Sequence, residues 1–124
     1  MSGGGVIMSA TISSDLLRGN TDAIILHLLS LQDSYGYEIY KAIKEITGEQ
    51  YILKEATLYA SFKRLEVLGS IASYWGEGTQ GGRRKYYKIT ENGKKRLEQC
   101  KTDWKFTVNV INSLLGVSFN EKGL

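Results

Sequence analysis

The sequence contains no proline, one cysteine and one histidine, and these shortages exclude several classes of protein. A single cysteine, Cys100, excludes an internal disulfide and is typical of a reducing compartment, so we expect a cytoplasmic protein. No run of about 18 or more apolar residues exists, so we expect no membrane span. Residues 1–10 have no basic residue ahead of an apolar block, so they do not predict a secretory signal.

The sequence also lacks the side chains that metal binding or enzymatic catalysis would need. One cysteine and one histidine, His27, do not make a metal site, and we expect neither a metal nor another cofactor. Cys100 has no candidate base close to it in the sequence, and no Gly-Lys-Ser/Thr element that would bind phosphate occurs. We therefore expect that the protein is not an enzyme.

The charges are distributed unevenly along the 124 residues, although the net charge is only +3. Residues 1–53 contain three basic and six acidic side chains, whereas residues 54–96 contain ten basic and four acidic ones. A concentrated basic middle is typical of a surface that binds a polyanion. It is equally compatible with a merely solvated basic surface.

Hydrophobic periodicity predicts helices, then a hairpin, then one more helix. The predicted elements are helices over residues 14–31, 35–47 and 55–68, strands over 71–75 and 83–89, and a helix over 91–115. Gly19 interrupts the first helix, Asp33 and Ser34 offer capping groups for the second, and Thr90 can cap the last, which Gly116 should end.

This order predicts a mainly α fold with a small β-hairpin (α+β), arranged as a winged helix-turn-helix with a C-terminal dimerisation helix. We assign residues 1–13 to a flexible N-terminal segment and residues 14–89 to the winged helix-turn-helix DNA-binding domain. Residues 90–116 are assigned to the dimerisation helix, and residues 117–124 to a frayed tail.

The third predicted helix has the features of a DNA-recognition helix. Ala56 and Ala60 are small enough for a close approach to the floor of a major groove. Hydrogen-bond donors and positive charge surround them, and the predicted DNA contacts on this helix are Thr57, Tyr59, Lys63 and Arg64. The alternative is an exposed amphipathic face with no ligand.

The predicted hairpin has a glycine-rich tip followed by consecutive basic residues. The predicted contacts here are Gly82, Arg83, Arg84 and Lys85. Glycine lets the backbone pass close to a phosphate, and the arginines can neutralise phosphates or enter a minor groove. The alternative is a solubilising loop tip.

Apolar residues recur along the last helix at spacings of three and four, which approximates a heptad seam. They are Leu97, Cys100, Trp104, Val108, Ile111 and Leu115. Such a seam requires a partner helix, so we expect a homodimer. The predicted interface residues are Leu16, Leu97, Trp104, Ile111 and Leu115.

Several segments resemble the PadR family of transcriptional regulators across about residues 16–115. They are DSYGYEI at 33–39, KEATLY at 54–59, KRLE at 63–66, SYWG at 73–76 and QGGRRKYYKITE at 80–91. The single C-terminal helix resembles the smaller subclass, in which this helix pairs with the first helix of the other subunit. The resemblance implies a two-fold dimer whose third helices reach successive major grooves of a pseudo-palindromic double-stranded DNA site.

The resemblance also implies a ligand site, because a multidrug-sensing member of the subclass has a tryptophan matching Trp104 that stacks on planar aromatic compounds between the subunits. The residues predicted to bind an effector are Ala23, His27, Cys100, Trp104 and Val108. Val108 stands where that relative is acidic, which argues against a preference for cationic drugs. Trp104 packed in a dimer core, and His27 as a partly buried helix residue, are the alternatives.

The function predicted from the sequence is therefore a sequence-specific, homodimeric DNA-binding transcriptional repressor relieved by a small aromatic or hydrophobic effector. The alternative is a winged helix that binds a protein or RNA and has no operator of its own.

Overall fold

The computed structural model describes residue 17, residues 19–78 and residues 82–118. These residues form four helices and a three-stranded antiparallel sheet, which confirms the predicted mixed α+β class. The elements are α1 (Thr21–Leu31), β1 (Ser34–Tyr35), α2 (Gly36–Ile46), α3 (Glu55–Val67), β2 (Ile71–Glu77), β3 (Arg83–Ile89) and α4 (Glu91–Leu115). None of these helices is long and apolar enough to cross a membrane.

Helix α1 is shorter than the sequence predicts. It begins at Thr21 because Gly19 adopts a φ of 91°, a conformation that interrupts a helix and that glycine tolerates. Residues 14–16 and 18 of the predicted first helix, which include Leu16, lie outside the described residues, whereas Leu17 is described and is helical. Ile25, Leu26 and Leu29 of α1 are at most 1% exposed, so this helix supplies the centre of the core.

The prediction that Asp33 and Ser34 cap the second helix is wrong. Ser34 and Tyr35 instead form the short strand β1, which pairs with Tyr87 and Tyr86 of β3. Tyr35 occupies the N-cap position without a side-chain hydrogen bond, and the Ser34 hydroxyl donates to Glu38 at 2.5 Å. The backbone of this segment thus makes its hydrogen bonds within the sheet. The strand extends the hairpin to three strands in the order β1-β3-β2.

Helix α3 packs against α1, α2 and strand β2. Leu58, Phe62 and Leu65 are at most 1% exposed, and the Phe62 ring stacks on Tyr87 of β3 with centroids 4.2 Å apart. Leu68, the last residue of the third predicted helix, lies just beyond the end of α3 at Val67 and is 44% exposed. This packing leaves the opposite side of α3 facing away from the core.

Helix α4 begins as its sequence predicts. The Thr90 hydroxyl accepts a hydrogen bond from the Gly93 amide at 3.1 Å, and Gly116 ends the helix with a φ of 72°. A Cβ on Gly93 would lie 2.0 Å from the Ser70 carbonyl oxygen, so only glycine permits this close approach. The start of α4 is therefore fixed against the turn that follows α3.

Candidate nucleic-acid interface

The outward side of α3 is formed by small and basic residues. Leu58, Phe62 and Leu65 face the core, and a rotation of about 100° per residue places Ala56, Ala60 and Lys63 on the opposite side. These three residues are exposed. The side of the helix that would enter a groove is thus free of bulky side chains at two of its three central positions.

Thr57 and Arg64 lie on the flank of α3 that faces α1. Both line a surface groove of about 730 Å³ together with Asp22 of α1 and Lys54. The Arg64 guanidinium donates to Asp22 from Nε at 3.0 Å and from Nη2 at 2.6 Å. Arg64, predicted as a DNA contact, is therefore already held by a carboxylate that the sequence analysis did not single out.

Tyr59 lies on the other flank of α3, beside the start of α2. Its side chain is 48% exposed, and its ring lies 5.7 Å from that of Phe62. The hydroxyl oxygen would be 2.2 Å from a Cβ on Gly36, the first residue of α2. Glycine at position 36 thus makes room for Tyr59, whose outer edge remains available to solvent.

Glu66 links α3 to the hairpin, although sequence reasoning assigned it no role. Its carboxylate accepts a hydrogen bond from the Ser73 hydroxyl of β2 at 2.6 Å and lies 3.9 Å from Lys85 Nζ of β3. Burial raises the pKa of the Tyr87 hydroxyl, and the negative charge of Glu66 raises it further. Glu66 therefore connects α3 to both long strands of the hairpin.

The basic residues of β3 point to opposite sides of the sheet, as alternation along a strand requires. Arg83 and Lys85 share the side of the buried Tyr87, and the Arg83 guanidinium lies 5.5 Å from the centroid of the Trp75 ring. Arg84 lies on the other side, over the Tyr35 ring at 4.4 Å. The structure thus keeps Arg83 and Lys85 on one face and separates Arg84 from them.

The hairpin tip is only partly described, because residues 79–81 lie outside the described part of the chain. Gly82 is exposed, and its carbonyl accepts a hydrogen bond from the Gly78 amide. Together with the exposed Arg83 and Lys85, it stands at the end of the hairpin farthest from Ile71 and Ile89. A basic edge therefore projects from the sheet that packs beside α3.

A second concave surface lies between α1, the end of α2 and α4. It is an apolar groove of about 400 Å³. Four of the five predicted effector residues line it, namely Ala23, His27, Cys100 and Trp104. Val108, the fifth, is half-buried one turn further along α4 and does not line this groove.

The environment of Cys100 does not favour nucleophilic chemistry. Burial raises the pKa of its thiol, and this effect outweighs the opposite effect of Arg96. A thiol with a raised pKa is neutral near pH 7, and the thiolate is the reactive form. Cys100 is therefore an apolar part of the groove wall.

The predicted dimer seam on α4 divides into two parts. Leu97 is 4% exposed and belongs to the core of its own subunit, so it has little surface to offer a second copy. Trp104, Ile111 and Leu115 are 49%, 47% and 71% exposed, respectively. The second half of α4 therefore presents an uncovered apolar side.

Comparison with known proteins places this geometry in a family. A model of the transcriptional regulator PadR-like family matches residues 25–99. An uncharacterised protein from Lysinibacillus sphaericus is 44% identical over 101 residues, which cover 82% of this chain and 93% of that protein.

Solved structures agree with the sequence comparison. A transcriptional regulator from Clostridium thermocellum is 52% identical, with a TM-score of 0.77 over 83% of this chain and 97% of that one. A PadR family transcription regulator from hypervirulent Clostridium difficile is 42% identical, with a TM-score of 0.68 over 78% of this chain and 99% of that one.

Proposed function

Because the chain belongs to the PadR-like family of transcriptional regulators, which are not enzymes, we propose that it represses transcription by binding double-stranded DNA as a homodimer. The observation on which this proposal rests is the outward side of α3. Ala56 and Ala60 allow the helix backbone to approach the floor of a major groove. Lys63, on the same side of the helix, offers a hydrogen-bond donor to a base edge. Thr57, on the flank, can reach a base edge or a phosphate.

The hairpin supplies the charge that sequence-independent binding requires. Arg83 and Lys85 lie on the face that also contacts α3 through Glu66, so both DNA-contacting elements are fixed relative to each other. Cationic side chains near phosphates release counterions, which makes binding tighter and dependent on salt. In this proposal α3 reads the base sequence while the hairpin holds the phosphate backbone or enters the adjacent minor groove.

A second copy of the chain is the proposed occupant of the uncovered side of α4. Trp104, Ile111 and Leu115 recur at heptad-like spacing, and apolar residues at this spacing pack against a partner helix. A two-fold axis at this contact would present two α3 helices to DNA. Half-sites about 34 Å apart, on one side of a pseudo-palindromic duplex, suit such a dimer.

The test is binding to the DNA upstream of the protein's own gene, where many repressors act. We expect a shift at low salt, with the logarithm of the association constant falling linearly against the logarithm of the salt concentration. Arg83→Ala should weaken binding to every duplex and reduce the salt slope by about one, whereas Lys63→Ala should change the preferred site. No shift on this DNA or on duplexes selected from a random pool would favour the protein- or RNA-binding alternative.

We further propose that the apolar groove binds a small aromatic or hydrophobic effector that releases the DNA. Ala23 and His27 of α1 face Cys100 and Trp104 of α4 across this groove, and an indole at its edge can stack on a planar ligand. Val108 lies outside the groove, so the proposed ligand site consists of the other four residues. Release of DNA requires that the ligand bind one dimer geometry more tightly than the other.

A planar dye reports on this groove through Trp104. In the Trp75→Phe variant, where Trp104 is the remaining tryptophan, we expect saturable quenching of indole fluorescence by an uncharged planar dye such as riboflavin. Trp104→Ala should weaken dye binding, followed by the anisotropy of the dye itself, by about 10-fold because the stacking surface is lost. Dye affinities that are the same with and without the indole would leave Trp104 as a packing residue.

A further inference from the structure

Arg64 is held on two sides by residues of different helices. Asp22, in the first turn of α1, accepts its Nε and Nη2 hydrogen bonds, and the Ser61 hydroxyl of α3 lies 2.9 Å from the same Nη2. The side chain of Arg64 is nevertheless 52% exposed, and that of Asp22 is 25% exposed. The contact joins residues 42 positions apart, so it exists only in the folded chain.

The geometry fixes which part of the guanidinium can reach a ligand. Arginine has five N–H groups, and three of them, on Nε and Nη2, are engaged by Asp22 and Ser61. Both remaining donors are on Nη1, and among the described residues no acceptor takes them. A freely moving arginine would present any of its donors, whereas this one presents a single nitrogen in a fixed direction.

Stability alone does not account for the arrangement. Exposed ion pairs contribute little to the stability of a fold. Asp22 also lies beside Thr57 in the groove along the flank of α3, where a carboxylate near DNA would repel phosphates unless a cation neutralised it. The hydrogen bond to Asp22 is the larger cause that raises the pKa of Arg64, and the charge of Asp22 is the second, so the guanidinium stays charged.

We propose that Asp22 is a positioning residue for DNA recognition: it orients Arg64 so that Nη1 makes one directed contact with DNA, and it cancels the charge that would otherwise bind any phosphate. This inference rests on the proposed function, since it presupposes that α3 contacts DNA. It assigns Asp22 an effect on the ratio of specific to non-specific affinity. Its effect on total affinity is secondary.

The test compares Asp22→Asn with Arg64→Gln, the double variant, and Glu98→Gln, which removes one negative charge from a surface ion pair on α4. Affinities for a selected operator and for an unrelated duplex are measured over a range of salt concentrations. For Asp22→Asn we expect tighter non-specific binding with a salt slope steeper by about one, because Arg64 is released as a mobile cation. The specificity ratio should fall by about 10-fold.

The control and the double variant separate positioning from general electrostatics. Glu98→Gln should leave the specificity ratio unchanged, and Asp22→Asn should have no further effect on that ratio once Arg64 is Gln, because Asp22 acts through Arg64. A ratio within twofold of the wild type in Asp22→Asn, or an equal loss in the Arg64→Gln background, would overturn the inference. Failure of the wild-type protein to bind any selected duplex would instead overturn the proposed function itself.

Discussion

Replacing Ile111 and Leu115 together with glutamate should convert the protein to a monomer and weaken operator binding by about 10²–10⁴-fold. Both side chains are exposed in the single subunit, at 47% and 71%, so the change should not unfold the domain. The two carboxylates added to each seam would have to lose their hydration when a partner helix packs against it, at a cost of several kcal/mol per charge. A monomer would then bind one half-site at a time and lose the advantage of linked binding.

Analytical ultracentrifugation at micromolar concentration measures the oligomeric state, and fluorescence anisotropy of a labelled operator measures affinity. Asn109→Glu is a matched control, since about 140° of helix rotation separates position 109 from the seam. It adds one carboxylate to the same helix at an exposed site. If the double variant remains a dimer, or if it is monomeric yet binds the operator as tightly as the wild type, the proposed assembly is wrong.

Ala60→Glu should reduce operator affinity to the non-specific level, about 10³-fold or more. Ala60 lies at the centre of the outward side of α3, between Ala56 and Lys63. A glutamate there would keep the helix away from the floor of the groove and place a carboxylate among phosphates. Glutamate is also a good helix former, so the stability of an exposed helical site should hardly change.

Circular dichroism and the thermal midpoint serve as the folding control for this variant, and both should match the wild type. Lys95→Glu, at an exposed site on α4, introduces a glutamate away from α3 and should retain most of the operator affinity. Should Ala60→Glu bind the operator within a few-fold of the wild type, α3 would not be the element that enters the groove.

Two sets of contacts connect α3 and the turn after it to the helices that line the apolar groove. Ser70, in the turn after α3, accepts a hydrogen bond from the Arg96 Nε of α4 at 3.0 Å and donates one to Asn92 at 2.7 Å. Asp22 binds Arg64 of α3 and is followed directly by Ala23 of the groove. A ligand that shifted α1 relative to α4 would therefore act on Arg64 of α3 and on the turn that follows this helix.

Local signals in the sequence predicted much of the fold. The bounds of α4 follow from a capping threonine, Thr90, and a glycine, Gly116, that adopts the left-handed conformation. The predicted second strand of the hairpin coincides with β3, and the third predicted helix extends one residue beyond α3. Each of these features depends on residues within a few positions of one another.

Contacts between distant segments could not be predicted in this way. Asp33 and Ser34 have the composition of a helix cap, yet β1 forms because an unpaired edge of β3 lies beside it. Leu97 fits a heptad seam as well as Ile111 does, but only packing against α1 decides that Leu97 belongs to the core of its own subunit. Periodicity identifies an apolar side of a helix without identifying what covers it.

The order of the four helices and of β2 and β3, the fold class, and the positions of the small and basic residues on α3 and the hairpin all follow from the sequence. Tertiary packing sets which cation meets which carboxylate. It pairs Arg64 with Asp22 and brings Lys85 close to Glu66. Helix periods and caps arise from residues that are close in the sequence. An ion pair instead depends on the distance between two side chains in the folded chain, which a local sequence pattern does not contain.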